Sequence, residues 1–93
     1  MNQKKIKETK NFGPVTSAEL ESMGIIYLDQ IEKMGTEDFC RLYVQYFPER
    51  LNANAFLGVI CALDNTVWTK AKVQHRVMAH NLVKKLKIEF NRS

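Results

Sequence analysis

A chain of 93 residues has the length of one domain, 1–93, and can bury a core without disulfides or metal. An apolar fraction of 45% with five phenylalanines excludes disorder, and no apolar run approaches the roughly eighteen residues of a membrane span. The net charge of +4 is polarised: residues 1–16 carry four lysines and one glutamate, 17–66 three basic and eight acidic groups, and 67–93 seven basic and one acidic.

Only four glycines and two prolines punctuate the chain, with no regular train of turn signals, so the expected class is all-α. Residues 1–10 form a basic arm, either flexible or adding a short helix, in which Ile6 alone has something to bury. No apolar stretch follows the first lysines, so the arm is no signal peptide, and a cytoplasmic protein is expected. Asn11-Phe12-Gly13-Pro14 makes a turn. Thr16 and Glu19 have capping-box spacing, and a helix from about Ser17 to Met23 should bury Leu20 and Met23 and end at Gly24.

A second short helix is expected over Tyr27 to Met34, with Leu28, Ile31 and Met34 inward and Gly35 as its stop. Thr36 begins the next, with Glu37 and Asp38 favourable near its positive end. Phe39, Leu42, Tyr43 and Tyr46 fall at helical spacing, widened by Cys40, Val44 and Phe47, and Pro48 closes the helix. The run from Asn54 to Leu63 is apolar nearly all round, as a central helix should be. Gly58 within it costs propensity and permits a close neighbour. Asp64-Asn65 ends it, and Val67-Trp68 should tuck in beneath. The last helix, roughly Thr69 to Ile88 with Thr69 as a cap, presents Ala71, His75, Met78, Ala79, Leu82 and Leu86 to the core. Val73 and Val77 lie almost opposite, a second apolar patch suited to packing on the N-terminal arm or on a second copy of the chain.

Chemistry is sparse. His75 and His80, the only histidines, are turned about 140° apart on a helix and do not converge on a metal. His75 reads as a satisfied core histidine and His80 as a surface residue. Cys40 and Cys61 read as reduced, buried thiols, with a disulfide or a reactive thiol as the alternatives. The acids lie at helix starts or on polar faces, where capping and solvation explain them. No catalytic residue, metal ligand or cofactor loop is expected, and the chain does not read as an enzyme. Lys4, Lys5, Lys7 and Lys10 form one basic cluster; Lys70, Lys72, Arg76, Lys84, Lys85 and Lys87 form another. They make a nucleic-acid footprint if the two ends share a face; otherwise the acidic middle docks on them or on a partner.

The order NFGPVTSAELESMGI, YLDQIEKMG, FCRLYVQYFP and LNANAFLGVICAL, followed by a tryptophan, resembles the C-terminal domain family of TfoX (Sxy) competence regulators. The resemblance spans about Phe12 to Trp68, more loosely the last helix, and its most specific part is the paired MGI and KMG phrases. It implies a stand-alone, helix-hairpin-helix-like (SAM-like) bundle of about five helices, associated with competence regulation. Gly13, Gly24 and Gly35 match turn glycines, Leu20 and Ile25 core positions, and Leu57, Leu63 and Trp68 later packing residues. Related DNA-binding hairpins imply a phosphate-holding role for Asn11 to Thr16. Here Asn11 stands where such hairpins have their first glycine and Val15 where they have a basic residue, with Glu19 and Glu21 just beyond.

The expectation is thus a recognition module in competence or DNA-associated regulation. It binds nucleic acid weakly through Lys10, Asn11, Gly13 and Thr16 of the hairpin and through Lys84 and Lys87 of the last helix. The alternative is a protein-interaction or dimerisation module working through Val73 and Val77. DNA, another regulatory protein, a separate TfoX N-terminal domain or a second copy are the partners to consider.

Overall fold

The computed structural model describes residues 4–91; the first three residues of the basic arm lie outside that range. The fold is all-α. Five helices follow one another as α1 (Pro14–Ser22), α2 (Leu28–Met34), α3 (Thr36–Tyr46), α4 (Ala53–Leu63) and α5 (Val73–Asn91). Three single turns of 3-10 helix, Ile6–Glu8, Pro48–Arg50 and Trp68–Lys70, fill the connections.

From Lys4 onward the arm is docked. Ile6 N–H donates to Ile26 O (2.8 Å) and Leu28 N–H to Lys4 O (2.8 Å), a short antiparallel pairing that buries Ile6. One buried isoleucine and two backbone bonds hold a segment whose composition suggested either a loose arm or a helix. The segment before the Asn11 turn is therefore a single 3-10 turn, not a full hairpin helix.

Helix α1 begins three residues earlier than expected, because Pro14 sits in its first turn, where a missing N–H costs nothing. Gly13 is its N-cap, and no side chain caps it. The capping box read at Thr16 and Glu19 does not form, since both residues already lie inside the helix. The C-terminus is as read. Gly24, at φ 82°, lets its own N–H reach Glu21 O (2.9 Å) and the N–H of Ile25 reach Leu20 O (2.9 Å). These two bonds satisfy carbonyls that the helix end leaves orphaned. Gly35, at φ 95°, separates α2 from α3. By contrast Gly13 (φ −73°, ψ 178°) is extended backbone that any residue adopts.

Helix α4 is the centre. Its N-cap Asn52 accepts from Ala55 N–H (2.8 Å), and every residue from Phe56 to Ala62 is buried. It packs chiefly along α5, whose inward residues are His75, Ala79 and Leu86. Leu20, Ile31, Phe39, Phe56 and Cys61 complete a contiguous core, each large side chain contributing on the order of 1.5–3 kcal/mol by leaving water. Both cysteines are buried and unbonded. Burial, with Glu37 nearby, pushes the Cys40 thiol up to about 12, and burial raises Cys61 too, so neither is a ready nucleophile.

Several packing expectations fail at the edges. Tyr46, Trp68 and Met78 are about half exposed, Val67 and Met34 are exposed, and Met23 is only half-buried. Each sits at an element end or on the flank of its stripe, where one side lacks a covering helix. Helix α5 starts at Val73, not Thr69, because Thr69 belongs to the preceding 3-10 turn.

Candidate nucleic-acid interface

The side chain of Asn11 organises the turn that precedes α1. Its Nδ2 donates to Thr66 O (2.9 Å) and Gly58 O (3.3 Å), and its Oδ1 accepts from Trp68 N–H (2.8 Å). The hairpin is thus tied to the middle of α4 and to the loop after it. Phe12 N–H donates to Thr9 O (3.1 Å) and Thr9 Oγ1 to Lys5 O (3.1 Å), which closes the turn from the other side. Asn11 has its polar atoms turned inward, so any phosphate would meet backbone and neighbouring lysines, not its carboxamide.

The other expected contacts separate into two places. Lys10 is exposed and borders a small cleft with Lys4, Asn11, Asn65, Thr66 and Val67. Lys70 and Lys72 follow directly on Trp68, so they belong to the same end of the molecule. Lys84 and Lys87 are also exposed, but they lie 12 and 15 residues beyond Lys72, roughly 18 and 22 Å along α5. The structure joins Lys10 to the 66–72 loop and leaves Lys84 and Lys87 as a separate patch. Gly13 is exposed at the α1 N-cap. Thr16 is half-buried in a cleft of about 220 Å³ with Tyr43, Arg50 and Asn52.

Of the two acids just beyond the hairpin, Glu19 is paired. Glu19 accepts from Tyr43 O–H (2.6 Å) and from Arg50 through both Nε (3.0 Å) and Nη2 (2.9 Å). Burial raises its pKa, but the Arg50 and Tyr43 hydrogen bonds outweigh that and hold it below the usual carboxylate range. Burial and the hydrogen bond to Glu19 push the Tyr43 hydroxyl upward. Glu21 stays exposed on the next turn.

Elsewhere the acidic middle pairs mainly with itself. Arg41 binds Glu37, Asp38 and Glu89, and Lys33 binds Asp29. From the C-terminal basic end, Lys85 reaches that middle through Glu37 (2.9 Å). Lys10, Lys70, Lys72, Lys84 and Lys87 have no ion-pair partner among the described residues.

His75 is buried, and both ring nitrogens are in use. Nδ1 accepts from Lys72 N–H (3.0 Å), so Nε2 carries the proton and donates to Asp64 Oδ2 (2.6 Å). The pair fastens the start of α5 to the end of α4 and leaves no nitrogen free to act as a base. Val73 is 78% exposed and Val77 51%, an uncovered apolar pair on the outer face of α5.

Sequence reading missed the inward commitment of Asn11, the Glu19–Arg50–Tyr43 cluster and the exposure of Trp68. Asn at a position where a hairpin turn accepts glycine was the one available signal; partners 47 to 57 residues away leave no local pattern. Comparison with protein-family models, with curated proteins and with solved structures finds no match to this chain.

Proposed function

We propose that this chain is a non-catalytic recognition module of the TfoX C-terminal type, and that it holds nucleic-acid backbone at the corner between its hairpin and the 66–72 loop. The observation that carries the reading is the Asn11–Trp68 hydrogen bond (2.8 Å), which joins the segment bearing Lys10 to the segment bearing Lys70 and Lys72. Those three cations have no ion-pair partner among the described residues, and the nearest α1 acid, Glu19, is held by Arg50. Backbone-directed binding needs only such a patch, and the counterions it releases make the affinity salt-dependent.

Mobility-shift titrations with single-stranded and duplex oligonucleotides at several salt concentrations test the reading. Binding should weaken steeply with salt, and K10E or K72E should weaken it severalfold and lower the salt slope by about one or more. K84E should have a smaller effect. Absence of any shift at low salt, with either form of nucleic acid, would remove the proposal.

A second reading, self-association, is favoured by the exposure of Val73 and Val77. Its test is the solution mass of the wild type and of V77E.

A further inference from the structure

Trp68 is the only tryptophan, and it is 46% exposed. Its exposure does not come from a loose loop. Asn65, at φ 54°, turns the chain out of α4 while its N–H reaches Ala62 O (3.1 Å) and that of Thr66 reaches Cys61 O (2.8 Å). Trp68 N–H is then fixed on Asn11, and Lys70 N–H donates to Val67 O (2.8 Å). The backbone is anchored before, at and after the indole, so the ring is presented from a firm base.

Its surroundings are cationic. Lys70 and Lys72 follow it in sequence, and Val67, exposed beside it, shares a cleft with Lys10 and Lys4. The acids nearest in sequence to these groups are Glu8 and Asp64. Asp64 is bound by His75 (2.6 Å), and Glu8 lies within a 3-10 turn that carries Lys7. A half-exposed indole, near Lys10, Lys70 and Lys72, which have no ion-pair partner among the described residues, suits a ligand with a flat apolar surface and a phosphate on the same unit. A duplex hides its base faces by stacking, whereas a single strand offers them, and base–aromatic stacking tolerates any sequence.

Resting on the nucleic-acid reading above, we infer that the preferred ligand is single-stranded, with a base stacked on Trp68 and flanking phosphates met by Lys10, Lys70 and Lys72. Lys10 approaches from the hairpin side and the other two from the loop, so the strand crosses the seam that Asn11 closes.

Because the chain has one tryptophan, its fluorescence reports on this position alone. Wild-type protein is titrated with a mixed-sequence single strand of about a dozen nucleotides, a duplex of the same sequence, and poly-glutamate as a plain polyanion. The expected result is saturable quenching by the single strand, little by the other two, and single-strand affinity reduced about tenfold or more in W68A, with W68F in between. Fluorescence unchanged while both nucleic acids bind equally overturns the single-strand inference and leaves the nucleic-acid reading standing. Equal quenching by poly-glutamate overturns the inference as well, since charge alone then explains binding. No binding of any nucleic acid at low salt removes both. The wild-type arm needs no variant, so it decides the matter even if W68A folds poorly.

Discussion

At Asn11 one carboxamide makes three hydrogen bonds to backbone groups of two distant segments. Alanine there leaves the carbonyl of Thr66 and the amide of Trp68 to find water at a partly covered seam, a loss on the order of 2 kcal/mol. Gly58 faces the same seam, yet its position asks for less than its glycine suggests. A Cβ there would sit 3.6 Å from Asn11 O, an ordinary contact, and the residue lies within α4 at no unusual φ. Alanine should therefore be neutral or stabilising by up to about 1 kcal/mol through helix propensity. Urea unfolding of N11A and G58A measures the pair. If G58A costs as much as N11A, the hairpin and α4 cannot accommodate a methyl group and this account of the seam is wrong. Sequence made Asn11 legible as a turn residue and Gly58 as a point of close approach. It did not connect them, because periodicity reports which face a residue is on and not which distant backbone it meets.

Helix ends that depend on one residue's conformation were the most legible elements. Gly24 and Asn65 both sit just past a helix in positive φ and both carry the paired bonds of the 6→1, 5→2 type. Starts were less legible: α3 begins at Thr36 as read, but Thr16 suggested a cap where Gly13 and Pro14 begin α1, and Thr69 suggested one for a helix that begins at Val73. The start of α5 is set by His75 reaching back to Lys72 N–H, an arrangement with no simple local signature. Its outer face was legible from spacing. At 100° per residue Val73, Val77, Lys84 and Ile88 fall within about 60° of one another, and the three apolar members are exposed. If that face pairs with a second copy, sedimentation in the high micromolar range gives a two-chain mass, and V77E lowers it toward a monomer. A wild-type monomer at those concentrations ends the self-association reading.

Over the whole molecule, charge polarity was legible in composition, but the way it is resolved was not. The acidic middle binds Arg41, Arg50 and Lys33 from within itself, and Lys85 from the last helix, while Lys10, Lys70, Lys72, Lys84 and Lys87 have no ion-pair partner among the described residues. Two clusters fasten helices together. Glu37 and Glu89, about 40% exposed, hold Arg41 and Lys85 between α3 and α5; Glu19, only 12% exposed, holds Arg50 and Tyr43 against α1. Hydrogen bonds from Lys85 and Arg41 lower Glu37, and that from Arg41 lowers Glu89. Glu19 is lowered by Arg50 and Tyr43 against the opposing effect of burial. A carboxylate depressed in the fold takes its proton more readily in the unfolded chain. Its contribution is thus fully present above the ordinary glutamate value of 4.5, and is lost as pH falls through the lower native value. E19Q should accordingly be less stable than the wild type near neutral pH, with the gap closing as pH falls below 4.5. The two clusters respond differently to salt, because exposed pairs are screened and a covered one is screened much less. In about 0.5 M salt the E37Q gap should shrink while the E19Q gap persists. Chemical unfolding across pH at both salt concentrations gives all four gaps. A difference between E19Q and wild type that does not change with pH would mean that the Glu19 charge contributes nothing, and that only its shape holds Arg50 and Tyr43 in place.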